Sequence, residues 1–203
     1  MVNDPWPHKI YDNFLSNERF YEIQQLAKQE IVYLDMFGYY SRSGHYFRFV
    51  KDDIIPEINL SLLDPYKNIR KHDKPLKKLI HWSIHPENFS YHTHIDNDSR
   101  IFTAVLYIEP NQNIGTILCK NNSDHSLDHG QPTLESEYEV EVGWQPNRLF
   151  THCSINGKTW HRYDSSYQRT TLNVFFVDEN KILPNRIDKN FLINIEGING
   201  SST

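Results

Sequence analysis

The chain has 203 residues with a formal net charge of −5, enough length for one domain whose core needs neither disulfides nor a structural metal. Hydrophobic residues at 38% against 23% charged exclude a disordered chain, and the negative balance offers no overall attraction to nucleic acid or an anionic membrane. No stretch approaches the roughly 18 apolar residues of a membrane span, the N-terminal MVNDPWPHKI lacks a signal pattern, and the only cysteines, Cys119 and Cys153, read as reduced thiols of a cytoplasmic protein.

In chain order, HKIYDNFL predicts a short strand running into a turn. A helix follows from Ser16, the candidate N-cap, with Phe20, Ile23, Leu26 and Ala27 at helical spacing. Residues 31–75 combine aromatics with Gly and Ser, then DIIPEINLSLLDPY, a possible helix interrupted by prolines. The segment 36–50 has the Gly and aromatic content of a lid over an active-site mouth. From Pro75 the pattern changes to short apolar runs bounded by turns: KKLIHWSIH, FSYHTHID, RIFTAVLYIE, IGTILCK, EYEVEVGW, NRLFTHC, TWHRY and RTTLNVFFVD. Such spacing predicts an antiparallel sandwich or barrel, with NNSDHSLDHGQPT as a loop. A single domain is expected, divided into N-terminal support at 1–75, a β core at 76–178 and a C-terminal extension at 179–203.

Side chains alternate faces along a strand. In RIFTAVLYI one face is Phe102, Ala104, Leu106 and Ile108, and the other carries Thr103 and Tyr107; in RTTLNVFFV the faces are Thr170, Leu172, Val174 and Phe176 against Arg169, Thr171, Asn173 and Phe175. The first faces suit packing on helices and the second suit a cavity lining. In FSYHTHID the same period puts His92, His94 and Asp96 on one side. Two imidazoles and one carboxylate suit a divalent transition metal, including non-haem iron(II) with open positions. Taken alone the triplet equally suits a polar strand end. Downstream, His161 stands eight residues before Arg169, with Thr171 two beyond it: a distant third ligand, then a guanidinium fork and a hydroxyl suited to a carboxylate.

These residues resemble the iron(II)/2-oxoglutarate dioxygenase superfamily, in particular its prolyl-hydroxylase-like branch. Its His-x-Asp, distant His and Arg-x-Ser/Thr pattern is matched by His94, Asp96, His161, Arg169 and Thr171, over roughly Lys77 to Asp178. PHKIYDNFLSNERF is similar to the strand and helix with which many members open. Ile114-Gly115 stands where the family usually has a Gly-Gly pair. The resemblance implies a mainly β fold, the double-stranded β-helix or cupin-like jelly roll, with supporting N-terminal helices. It implies Fe(II) on His94, Asp96 and His161, O2 as co-reactant, and 2-oxoglutarate as cosubstrate with its far carboxylate on Arg169, Thr171 and Tyr107. No catalytic residue beyond these ligands is implied. The expected activity is hydroxylation of a substrate, a peptidyl side chain such as proline being one candidate, with release of succinate and CO2. A non-catalytic jelly-roll binding module and a cupin-like metalloprotein or zinc enzyme are the competing readings.

Other residues rank lower. His92 is a second candidate ligand or substrate contact, and Arg100 sits where this branch often meets its substrate. Arg42 and Arg48 offer the same from the aromatic arm, although each reads more simply as a surface charge. His81 and Ser83 alternate with apolar neighbours and suit a cavity wall. His125 and His129 have a metal-like spacing inside a segment with the composition of a solvated loop.

Overall fold

Alternation of apolar and polar residues after Pro75 is realised as two antiparallel sheets in a computed structural model, which describes residues 1–37, 45–69, 75–120, 138–155, 158–182 and 188–195. The strands and the helix are β1 (His8–Tyr11), α1 (Asn17–Phe37), β2 (Tyr46–Val50), β3 (Lys77–His85), β4 (Phe89–His94) and β5 (Arg100–Glu109). They continue as β6 (Thr116–Lys120), β7 (Tyr138–Val142), β8 (Leu149–Cys153), β9 (Trp160–Ser165), β10 (Arg169–Val177) and β11 (Ile193–Asn194). The larger sheet runs β1-β8-β5-β10-β3-β11, with β2 also on β3, and the smaller runs β4-β9-β6-β7. The chain passes back and forth between the sheets from β3 to β10, which is the winding of a double-stranded β-helix.

The outer face of the larger sheet carries the main core. Phe102, Ala104, Leu106 and Ile108 of β5 join Leu172, Val174 and Phe176 of β10, and Ile23 and Ala27 of α1 cover them. Phe102 and Phe176 stack with centroids 5.1 Å apart; each fully buried side chain of this size contributes about 1.5–3 kcal/mol. Tyr66 is buried in the same layer, and its hydroxyl donates to the Thr151 carbonyl at 2.7 Å. With this face sealed, the opposite face of β5 and β10 is left to line the space between the sheets.

Helix α1 begins as the cap signal indicates, the Arg19 amide donating to Ser16 Oγ at 3.2 Å. It runs on to Phe37 because Ile31 and Leu34 pack against Tyr46 and Ile84, contacts that local spacing does not reveal. The expected supporting N-terminal helices are this α-helix and a 3-10 segment, Leu60–Tyr66, which contains Pro65. Within the expected arm, residues 46–50 are a strand hydrogen-bonded to β3, with Arg48 paired to Glu30 at 3.0 Å. The rest of the lid expectation at residues 38–44, with Arg42, and the loop holding His125 and His129 lie outside the described residues. Among the described residues no helix is long and apolar enough to cross a membrane, and Cys119 and Cys153 are buried and form no disulfide with each other.

Candidate functional site

His94 ends β4 and stands opposite His161 of β9 in the ladder, their rings 4.4 Å apart. The register of that ladder shifts between Tyr91 and His94, and the strand stops there, so Asp96 reaches the site from the following turn rather than by strict alternation. One potential ligand atom from each of His94, Asp96 and His161 lies within 4.8 Å of the others.

His161 Nδ1 lies 2.9 Å from the Thr159 carbonyl, which fixes the proton on Nδ1 and leaves the Nε2 lone pair for the cavity. Asp96, 5% exposed, accepts from Thr103 Oγ1 at 2.6 Å and from Arg100 Nη1 at 2.5 Å on separate oxygens. Burial pushes the Asp96 carboxyl up, but the charge of the Arg100 guanidinium beside it outweighs this and holds the group well below the usual carboxylate range. The carboxylate is therefore ionised and aimed, as a metal ligand must be. His152 of β8 is fully buried with its Nε2 3.7 Å from Asp96, and burial holds it neutral, its pKa pulled down to about 3.

The other end of the same cavity is built around Arg169. Its side chain is 2% exposed and ringed by Trp144, Tyr163 and Tyr107, with centroids 5.0, 5.3 and 5.8 Å from the guanidinium carbon. Among the described residues its side chain makes one hydrogen bond, from Nη1 to the Asp164 backbone carbonyl at 3.3 Å, and Nε has no partner. The Asp164 carboxylate is turned to Ser90 and Arg162 instead. Among the described residues no carboxylate pairs with Arg169. Burial lowers its pKa, yet a guanidinium starts so high that it remains charged. A buried cation without a counter-ion is costly unless an anion arrives.

Thr171 and Thr116 are buried hydroxyls in the lining around it. Tyr107 takes a different place from the one expected. Its hydroxyl donates to Thr116 Oγ1 at 2.8 Å and accepts from the Thr116 amide at 3.0 Å, and its ring stacks on Trp144. It stands behind the wall, with Thr116 in front of it. Just before Thr116, a Cβ on Gly115 would sit 1.7 Å from the Val142 carbonyl oxygen, so the single glycine of Ile114-Gly115 is demanded by the close approach of the chain to the end of β7.

The cavity, about 400 Å³, is continuous from the triad to Arg169 and is also lined by His81 and Ser83, as their alternation suggested. Arg100 lines it too, but its guanidinium is committed to Asp96 and lies 3.9 Å over the Phe175 ring. The side chain of His92 lies outside the described residues. Sequence reasoning passed over Thr116, His152, His45 and His85, all of which line the cavity.

No protein-family model and no curated protein matches the chain. Solved structures do. A Trichoplax adhaerens prolyl hydroxylase in complex with a hypoxia inducible factor peptide fragment aligns over 85% of this chain and 84% of its own, at 18% identity and a TM-score of 0.61. A Pseudomonas putida prolyl-4-hydroxylase covers 85% of this chain and 92% of its own at 15% identity, TM-score 0.57. The chain has the fold of the 2-oxoglutarate oxygenases. The same oxygenase fold extends beyond prolyl hydroxylases, since the non-haem α-ketoglutarate-dependent epimerase SnoN from nogalamycin biosynthesis aligns over 89% of this chain and 86% of its own, at 15% identity and a TM-score of 0.57.

Proposed function

We propose that this protein is a non-haem iron(II)- and 2-oxoglutarate-dependent oxygenase that hydroxylates its substrate and releases succinate and CO2. The observation that carries the reading is Arg169: a buried guanidinium without a carboxylate partner among the described residues, at the far end of the cavity that begins at His94, Asp96 and His161. A dicarboxylate that reached both a metal on the triad and this guanidinium would use both ends of the cavity.

In this reading His94, Asp96 and His161 hold the iron, with Thr159 fixing the tautomer of His161 and Thr103 and Arg100 fixing the two oxygens of Asp96. Iron with 2-oxoglutarate and O2 supplies the oxidising power that converts a substrate C–H to C–OH. Arg169 takes the far carboxylate of 2-oxoglutarate, aided by Thr171 and Thr116, and Tyr107 orients the Thr116 hydroxyl from behind. The three rings around Arg169 keep water from that ion pair, which strengthens it. Arg100 contributes by holding Asp96 on the substrate side. The test is calorimetric titration of 2-oxoglutarate into protein loaded with Mn(II), a redox-silent probe. Binding near one equivalent that requires both the metal and Arg169 is expected; binding that is absent, or indifferent to the metal, overturns the assignment.

A further inference from the structure

The cavity has a wall that neither the triad nor Arg169 uses, and it is built of rings. Beginning beside Asp96, the Arg100 guanidinium lies 3.9 Å over Phe175 of β10, and Phe175 meets the His81 ring of β3 edge-on at 5.1 Å. Next in line is Phe47 of β2, 6.0 Å from His81 and 5.8 Å from His45. The His45 ring stands perpendicular to Tyr91 of β4 at 5.5 Å, and Tyr91 in turn meets His94 at 4.9 Å. All of these side chains line the cavity. The row of contacts leaves the triad at Asp96, through Arg100, and returns to it at His94, crossing from the larger sheet to the smaller.

This collar offers ring faces and edges and few polar contacts. His81 Nε2 is taken up by Asn173 Nδ2 at 3.0 Å, and His81 Nδ1 is screened from water. The His81 imidazole is neutral, burial pulling its pKa down to about 3. Among the described residues that line the cavity, only Asp96, Arg100 and Arg169 carry fixed charge, and Arg100 is paired with Asp96 at 2.5 Å. A ring face is electronegative, so an anion gains nothing from it, and the Phe175 face that would attract a cation already holds Arg100.

Phe47 remains 42% exposed although it stands between the imidazoles of His45 and His81. Across the collar, Tyr91 is held flat against Tyr163, with centroids 4.9 Å and planes 6° apart. An apolar ring left open among others that are fixed in place suits a flat guest that completes the stack.

We propose that this aromatic collar is the substrate site and takes an uncharged aromatic ring, held beside the triad by ring contacts rather than by ion pairs or peptide hydrogen bonds. The inference rests on the oxygenase reading, which leaves this part of the cavity to the substrate. A saturated ring of the same size fills the space without the electrostatics of a ring face, and one such aromatic contact adds roughly two- to tenfold in affinity beyond its area. The cavity of about 400 Å³ must also hold 2-oxoglutarate, so the enclosed part of the substrate is of fragment size.

Small fragments test this in the intact protein loaded with Zn(II) and 2-oxoglutarate, with affinities from ligand-observed NMR titration: acetanilide, its saturated counterpart N-cyclohexylacetamide, 3-phenylpropanoate, phenethylammonium and N-acetylproline methylamide. Acetanilide is expected to bind at least about threefold more tightly than each of the others, and its lines to broaden when Mn(II) replaces Zn(II), which marks a position near the triad. Phe47→Leu, a change at an exposed side chain, is expected to remove the preference over N-cyclohexylacetamide, and Phe47→Tyr, which keeps the ring, to retain it. Acetanilide that fails to bind, is not broadened by bound Mn(II) or shows no preference overturns the inference, as does a preference that survives in Phe47→Leu or is lost in Phe47→Tyr. Parent protein that binds 2-oxoglutarate without preferring acetanilide overturns this inference alone; an acetanilide preference without 2-oxoglutarate binding supports the collar and sinks the oxygenase reading instead.

Discussion

Replacing Arg169 by Met separates the cost of a buried charge from its use. Arg169 is 2% exposed and among the described residues has only a backbone carbonyl as side-chain hydrogen-bond partner, so in the empty protein it is a desolvated cation held by three aromatic rings. Removing one partner of a buried, hydrogen-bonded charge pair costs about 2–5 kcal/mol of binding. At about 1.4 kcal/mol per decade, that is roughly 30-fold to a few thousand-fold in 2-oxoglutarate affinity. The ligand-free fold is expected to respond in the other direction, because an apolar chain of similar length replaces a cation that lacks a counter-ion, a change often neutral or stabilising. Titration calorimetry with 2-oxoglutarate measures the first effect, and thermal unfolding of the metal-free protein the second. An affinity within threefold of the parent would refute the carboxylate role. A melting temperature lowered by more than about 6 °C, or roughly 2 kcal/mol for a chain of this size, would show that Arg169 is a structural residue.

Thr116→Val and Tyr107→Phe should part company: the first is expected to weaken 2-oxoglutarate by about tenfold, the value of one hydrogen bond to a charged group. The second leaves the Thr116 amide without its acceptor and is expected to lower stability by about 1–3 kcal/mol with little loss of affinity, both read by calorimetry and urea unfolding. Gly115→Ala drives a methyl to 1.7 Å from the Val142 carbonyl oxygen, and a cost of about 3 kcal/mol, or roughly 6–12 °C in melting temperature, is expected. Burial, with the charge of Arg169 nearby, holds His85 neutral and far below its ordinary pKa, so the unfolded chain takes up the proton first as acid is added. Its contribution to stability is therefore intact above about pH 6.5 and is lost as the pH falls below that value, at about 1.4 kcal/mol per pH unit. Urea unfolding of metal-free His85→Phe at pH 6.5 and 5 should show a pH slope shallower by one proton; an unchanged slope means His85 does not titrate on unfolding.

Much of this arrangement was readable from period-two patterning because the two faces of β5 and β10 differ so sharply in chemistry. Phe102, Ala104, Leu106 and Ile108 announce a packed face, and Arg169 inside an apolar run announces a buried charge with a purpose. The residues that escaped notice are those whose meaning depends on a partner far along the chain. Thr116 becomes a cavity hydroxyl only when Tyr107 stands behind it, and His152 comes near Asp96 only because β8 pairs with β5 at Thr103. The extension of α1 past Glu30 depends on Tyr46 and Ile84, which supply the apolar surface that Ile31 and Leu34 cover. Strand β2 was hidden for a related reason: Phe47 and Phe49 face the cavity while Tyr46 and Arg48 meet Glu30, a pattern that reads as irregular until both neighbours are in place.

The central claim, a metal and a buried guanidinium sharing one dicarboxylate, meets its most direct test in anaerobic addition of Fe(II) and then 2-oxoglutarate while the visible spectrum is recorded. A weak new band that needs both additions, disappears in His161→Ala and requires much more 2-oxoglutarate in Arg169→Met is expected. Folded protein that shows no band at saturating concentrations of both would contradict it.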